Sequence, residues 1–248
     1  MKHVPHETSF DAVILCGGSA KRLKPYLPFN KALAEVTNGQ TLLNYQIDWL
    51  KQNGAKQIIL AIDAKTYSDV SAFTPRILHE VRCSIEANKL GTGGAVRKAT
   101  ENVEASLVYV MNVDDIIVSE TYSPQHLLKL TKDDIKGTLL VTRTYFPFGV
   151  VDTQDHYISE FKKKPLLDYW INTGHCVLET EYIMNSFAAI GDLDNQLSDM
   201  ARQRLLAHHK LDGDWFTVNN IKQLEEAREK IAKPITQNRV QVEPVPNQ

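Results

Sequence analysis

An excess of charge of one sign is absent from this chain: 28 basic and 30 acidic side chains leave a formal charge of −2 with the histidines neutral. That balance argues against a broad basic face for nucleic acid, although a local cationic site can sit within it. Long apolar runs are missing as well. No stretch approaches the ~18–20 residues that a membrane span needs, and the start, MKHVPHETSF, has no signal-peptide apolar segment. These absences point to a cytoplasmic chain with neither a nucleic acid nor a membrane as partner. Cysteine is scarce. Cys16, Cys83 and Cys176 are odd in number, far apart, and each lies in an apolar, strand-like stretch, which reads as reduced core. No Cys or His pair has zinc-ligand spacing. His208 and His209 are adjacent on an expected helix and would point about 100° apart, a poor arrangement for a shared metal.

What is present is an ordinary globular composition, 43 % hydrophobic and 23 % charged over 248 residues. Such a chain buries a continuous core without disulfide staples. Its periodicity alternates strands and helices. Residues 11–16 form a short apolar run ending in Gly17-Gly18, as a buried parallel strand does. A helical stripe of Leu42, Leu43, Gln46, Ile47 and Leu50 follows Thr41, a suitable N-cap. Further strands are expected at 57–62, 81–86 and 106–111, with a helix from Gly93 between the last two. From about residue 137 the strands (138–144, 148–152, 157–161 and 170–178) are closely spaced, the mark of antiparallel additions. Helices near 180–188 and 195–208, a strand at 214–218 and a helix at 220–232 complete the series. The fold class read from this is α/β: a three-layer, doubly wound, mostly parallel sheet with a small antiparallel addition. The expected organisation is an N-terminal arm at 1–10, one catalytic domain at 11–232 and a tail at 233–248.

Ligands of open α/β sheets bind beyond the carboxyl ends of the strands, and three polar segments fall there. In the first, Gly17 and Gly18 allow a sharp turn that brings N–H groups near an anion. Ser19 and Ala20 follow, then Lys21, Arg22 and Lys24, with Lys31 further on. This cluster suits a polyphosphate, yet it has neither the Walker A ending nor the dinucleotide fingerprint; a solvated basic helix start is the plainer alternative. The second segment spans 86–94. The third, Val110-Met111-Asn112-Val113-Asp114-Asp115, places acids at the end of a buried strand, where they must be paired, wet or bound to a cation. Strand alternation would put Asn112 and Asp114 on one face and Asp115 on the other. That makes Asp114 the better candidate for Mg²⁺, which takes one or two carboxylates plus phosphate oxygens. Taken alone, a capping Asp is equally consistent.

Five motifs occur in register: Leu15-Cys16-Gly17-Gly18-Ser19-Ala20-Lys21-Arg22-Leu23 with Lys31, Leu90-Gly91-Thr92-Gly93-Gly94-Ala95, Asn112-Val113-Asp114, Lys163-Lys164-Pro165, and Asn172-Thr173-Gly174. Over roughly residues 11–225 the chain resembles the sugar-1-phosphate nucleotidylyltransferases, most of all the short hexose- or heptose-1-phosphate guanylyltransferases. The resemblance implies an NTP and a sugar 1-phosphate as substrates, an NDP-sugar and pyrophosphate as products, and Mg²⁺ as cofactor. GTP is favoured by subgroup, with UTP and CTP open, and a homo-oligomer is left open as well. By the same resemblance, the backbone of Leu15, Cys16, Gly17 and Gly18, with Gly93, would hold the nucleobase. Ser19, Ala20 and Lys21 would continue the nucleotide loop. Arg22 would meet the β- and γ-phosphates, Lys31 the phosphates near the reacting centre, and Glu86 and Gly91 the nucleoside side. Asp114 would hold Mg²⁺ at the α-phosphate. Gly149, Lys163, Asn172 and Gly174 would line the sugar, and Lys164 would meet its phosphate.

Four departures stand out. Ala20-Lys21-Arg22 replaces the usual Gly-Thr-Arg, and Asn30-Lys31-Ala32 the usual Pro-Lys-Pro. Lys163 stands where a Glu is usual. Thr217 occupies the position of the second metal-binding Asp, and Asp214 would lie on the opposite strand face. Two other readings follow from these: a non-catalytic regulator that binds nucleotide or sugar phosphate, and a cytidylyl- or uridylyltransferase acting on a non-sugar phosphate.

Overall fold

The computed structural model describes residues 9–17, 27, 29–37 and 39–232. In chain order the first described elements are β1 (Phe10–Leu15), a 3-10 turn (Lys31–Leu33), β2 (Glu35–Thr37), β3 (Gln40–Thr41) and α1 (Leu42–Gln52). Next come β4 (Ala55–Asp63), α2 (Ala64–Phe73), a second 3-10 turn (Pro75–His79), β5 (Arg82–Glu86), α3 (Gly91–Thr100) and β6 (Leu107–Asn112). Then follow β7 (Asp115–Val118), α4 (Gln125–Leu128), β8 (Gly137–Thr142), β9 (Gly149–Gln154), β10 (Tyr157–Lys163) and β11 (Ile171–Glu179). The last are α5 (Thr180–Ser186), α6 (Leu193–Arg202), β12 (Leu206–Lys210), β13 (Asp214–Thr217) and α7 (Ile221–Ala232). Of the expected N-terminal arm only Ser9 and Phe10 are described, and Phe10 already opens β1. The tail at 233–248 lies outside the described residues.

A seven-stranded sheet in the order β12-β8-β11-β6-β1-β4-β5 forms the middle layer. β6, β1, β4 and β5 run parallel, whereas β11 is antiparallel to both β6 and β8. Two of the strands expected as antiparallel additions, β8 and β11, therefore belong to the main sheet. Of the four strands expected as additions, β9 and β10 pair with each other apart from it.

The three layers follow from the period-two alternation of the strands. Ala12 and Ile14 of β1, Leu60 and Ile62 of β4, and Tyr109 and Met111 of β6 pack with Leu43 and Ile47 of α1, Leu127 of α4 and Leu224 of α7. The alternate residues Val13 and Leu15, Ile59 and Ala61, and Val108 and Val110 pack with Ala95, Val96 and Ala99 of α3, Ile183 of α5 and Met200 of α6. Burial on both faces is why these strands read as continuous apolar runs. Helix α1 starts where expected, the Thr41 hydroxyl accepting from the Asn44 N–H at 3.2 Å. Helix α2 is capped the same way, by Asp63 accepting from Thr66 N–H at 2.6 Å. It carries a single large buried apolar side chain, Val70, so no stripe announces it.

The helix expected over 195–208 ends at Arg202, and Arg204 takes a left-handed φ of 61°. His208 and His209 lie instead on β12, parallel to β8. Strand geometry turns them to opposite faces, and only His209 meets His126, with ring centroids 4.8 Å apart. Cys16 and Cys176 are buried, Cys83 is half-buried, and all three are free thiols, as their surroundings imply.

Buried Asp11 of β1 ties the sheet to the loop before β6, its Oδ2 accepting from the amides of Glu104 (2.8 Å) and Ala105 (3.1 Å). Asp11→Ala leaves both amides without this acceptor and is expected to lower the unfolding free energy by about 2–4 kcal/mol. Asp11→Asn, which keeps an acceptor, should cost less. Urea titration measures both, and an Ala variant as stable as the parent would remove this role from Asp11.

Candidate active site

The parallel strands β1 and β6 end side by side, with Leu15 paired to Asn112. Just beyond them the chain turns sharply through Val113 and Asp114 into β7. The alternation expected of Asn112, Asp114 and Asp115 does not hold, because β6 stops at Asn112 and a turn has no period of two. Asn112 and Asp115 instead meet directly, the Asn112 Nδ2 donating to Asp115 Oδ2 at 2.8 Å. Asp114 faces Lys31, whose Nζ lies 2.6 Å from its Oδ2. Both side chains are largely shielded from water, so their attraction is poorly screened.

Neighbouring elements hold each partner of this pair. Lys31 opens a 3-10 turn whose N-cap is Asn30, the Asn30 Oδ1 accepting from Ala32 N–H at 2.9 Å. The Asn30 Nδ2 donates to the Cys16 carbonyl (3.3 Å) and to Thr66 Oγ1 (2.9 Å), pinning the Lys31 turn to the end of β1 and to α2. Asn30 therefore does by hydrogen bonding what a rigid proline would do through its ring. On the other side, the Asp115 carbonyl accepts from Gln46 Nε2 (2.7 Å) and His175 Nε2 (2.9 Å), and the Asp114 carbonyl from Val218 N–H (2.9 Å).

A carbonyl only accepts, so His175 carries its proton on Nε2 and receives the Tyr109 hydroxyl on Nδ1 at 2.9 Å. Tyr109 in turn accepts from Tyr122 at 3.0 Å. Burial pushes the His175 imidazole down to about 4, against the opposing pull of the Asp115 carbonyl. It stays neutral at ordinary pH. Trp49 packs against this chain, 6.0 Å from the Tyr109 ring and 6.2 Å from His175.

Asp115 is almost fully buried and pairs across β7 and β13 with Thr217, whose hydroxyl donates to its carboxylate. Asn219 Nδ2 donates to that same hydroxyl at 2.8 Å. Burial pushes the Asp115 carboxyl up to about 7 and nearby Asp114 adds to this, while Asn112, Thr217 and Lys31 oppose it. Above lies Gly174, at φ +79°, where a Cβ would sit 2.0 Å from Asp115 Oδ2 and 2.5 Å from Asn112 Nδ2. No side chain fits there. The Gly174 amide donates to Asn172 Oδ1 at 3.1 Å, and Trp215 Nε1 donates to the Thr173 carbonyl at 2.9 Å. Asp214 opposes Val118 at the far end of β13, with its carboxylate 3.9 Å from Lys230 Nζ, away from this cluster.

Leu15, Cys16, Lys31, Asp114, Asn172 and Gly174 thus surround one strand-end cluster, whereas two other sets of expected site residues form groups of their own. Glu86 ends β5 and accepts the Leu90 amide at 3.2 Å. Gly91 and Gly93 open α3, and the Gly93 and Gly94 amides donate to the Gly191 carbonyl at 2.9 and 3.1 Å. Gly93 shapes this loop, and its N–H is already engaged. Gly149 and Lys163 pair across the β9–β10 hairpin, and Lys164 follows with a left-handed φ of 50°. Gly17 is exposed at the end of β1. Gly18, Ser19, Ala20, Lys21 and Arg22 lie outside the described residues. Among the described residues no three His, Cys, Asp or Glu gather as a self-sufficient metal cage.

Residues 11–237 match the family pattern described as nucleotidyl transferase. The chain belongs to that family. A D-glycero-alpha-D-manno-heptose 1-phosphate guanylyltransferase of Campylobacter jejuni is 33 % identical over 184 residues, which is 71 % of this chain and 79 % of that protein. A protein of the same name from Aneurinibacillus thermoaerophilus is 28 % identical over 157 residues, covering 62 % of this chain and 67 % of its own length. The crystal structure of HddC from Yersinia pseudotuberculosis superposes with a TM-score of 0.68 at 22 % identity, over 90 % of this chain and 99 % of that one. These likenesses make the protein a nucleotidyltransferase with the nucleotide-diphospho-sugar transferase fold. No helix among the described residues is long and apolar enough to cross a membrane.

Within this cluster, the folded state holds the Asp115 proton more tightly than an unfolded chain titrating near the ordinary 3.8. Stability from this group is full below the ordinary carboxylate range and is lost as pH rises through about 7. Asp115→Asn should therefore flatten the decline relative to the parent when thermal unfolding is followed across that window. Equal slopes for the two proteins would contradict the assignment. Gly174→Ala should unfold at a markedly lower temperature than the parent, since its Cβ has no room.

Proposed function

We propose that this nucleotidyltransferase joins GTP to a hexose or heptose 1-phosphate, giving a GDP-sugar and pyrophosphate. The observation that carries the reading is the Lys31–Asp114 pair at 2.6 Å, at the carboxyl ends of β1 and β6. The choice of GTP and of a sugar 1-phosphate is supported by the guanylyltransferase relatives, whose names also favour catalysis over a purely regulatory role.

An oxygen of the sugar phosphate attacks the α-phosphorus. A new P–O bond forms as the bond to the β-phosphate oxygen breaks, and pyrophosphate leaves in line. The nucleophile is already an anion, so no general base is needed. His175 accordingly faces backbone and tyrosine, with no proton to accept from substrate. The difficulty lies in bringing anions together, which positioned cations solve. Lys31 would contact the phosphates at the reacting centre, and Arg22, by its motif, the β- and γ-phosphates. Lys164 would meet the sugar phosphate, with Asn172 and Gly174 along the sugar.

The donor chemistry fits Mg²⁺. The Asp114 carboxylate is a hard oxygen ligand, Asp115 lies beside it, and nucleotide phosphates would complete the shell. Bound there, Mg²⁺ would neutralise charge on the α-phosphate. Asp114 would hold it, and Lys31 would keep the carboxylate oriented before it arrives.

Incubation with GTP, Mg²⁺ and mannose 1-phosphate or D-glycero-α-D-manno-heptose 1-phosphate should release pyrophosphate and yield the GDP-sugar by mass spectrometry, with UTP and CTP slower. No pyrophosphate from any pairing would end the proposal. Asp114→Ala should lower kcat at least ~10²-fold, comparable to losing one preorganised electrostatic contact. Arg22→Ala should weaken GTP binding in calorimetry, and unchanged affinity would remove Arg22 from the site.

A further inference from the structure

Strands β9 and β10 form a ribbon with no third strand among the described residues. Every residue of β10 is exposed, and only Val150 of β9 is partly covered. The ribbon nevertheless carries large apolar side chains: Phe161 is 66 % exposed and its cross-strand neighbour Val151 41 %. Two strands alone are marginally stable in water. An unpaired edge beside apolar side chains is a template for another strand.

The charges along β10 specify which strand. Glu160 and Lys162 flank Phe161 and share a face, where they form an ion pair at 2.8 Å, while Phe161 projects from the other face over Gly149. Consider two β10 strands paired antiparallel about a two-fold axis through Phe161. Glu160 of each copy then stands opposite Lys162 of the other, and the two Phe161 side chains oppose each other on the reverse face. Moving the axis to Glu160 or to Lys162 opposes like charges. Moving it by half a residue pairs Glu160 with Phe161 and sets apolar against charged faces. One register satisfies both faces, and it is self-complementary, as a closed two-fold contact requires.

We propose that the chain forms a two-fold dimer through β10, producing a four-stranded sheet in the order β9-β10-β10-β9 with a Val151–Phe161–Phe161–Val151 apolar row across it. A second copy of this chain is the fitting occupant because a strand with alternating charge around one aromatic complements its own reversed copy. The formal charge of −2 opposes such association only weakly.

The test uses the full chain without substrates, so its outcome is separate from that of the catalytic proposal. Sedimentation equilibrium at micromolar protein should give twice the chain mass. Glu160→Lys alone and Lys162→Glu alone should each raise the dissociation constant at least ~10-fold, because like charges then face each other across the axis. Mixing the two variants should restore association, since one strand then presents lysine on both sides of Phe161 and its partner presents glutamate on both. Phe161→Asp should be monomeric with the circular dichroism spectrum of the parent; should that variant fail to fold, the charge variants decide alone. A monomeric parent, single variants that dimerise like the parent, or a mixture no better associated than its components would each overturn the proposal.

Discussion

The ion pair between Lys31 and Asp114 is the constraint around which the rest of the site is arranged. A carboxylate this shielded is costly without a cation beside it, and the cation comes from a segment with no strand or long helix of its own. Its position depends on Asn30, which hydrogen-bonds the end of β1, a residue of α2 and its own turn at once. The carboxylate depends on a turn whose carbonyls are held by Gln46, His175 and Val218, from α1, β11 and the segment after β13. Segments far apart in the chain therefore converge on one point at the ends of β1 and β6.

The sheet and the two helical layers were legible because buried parallel strands leave apolar runs and amphipathic helices leave stripes. Helix α2 left almost none, since Val70 is its one large buried apolar residue, although its Asp63 cap stood in the sequence. The segment 206–210 misleads because LAHHK has neither clear alternation nor a breaker before it. What ends α6 is the left-handed backbone at Arg204, which no glycine marks.

At the site, the strand-end Asp114 could be picked out by type and position, whereas Gly174 was pointed to only by the resemblance. Asp115 could not. Its importance arises from a strand pairing that places Thr217 directly opposite, so a hydroxyl on β13 and a carboxylate on β7 meet where spacing along one strand shows only a missing acid. Asn30 was visible only as the loss of an expected proline. Its hydrogen bonds reach residues far away in sequence as well as its own turn, which no local pattern encodes.

Two of the chain's three tryptophans, Trp49 and Trp215, border this region, and the third lies two residues before Asn172. Trp49 packs behind the turn that carries Asp114, Trp215 donates its indole N–H beside Gly174, and Trp170 immediately precedes β11 with the Lys210 ammonium 4.5 Å from its ring centroid. Much of the ultraviolet emission of this protein therefore originates beside the Lys31–Asp114 cluster. Nature has left it with an optical probe already installed, without any dye or label.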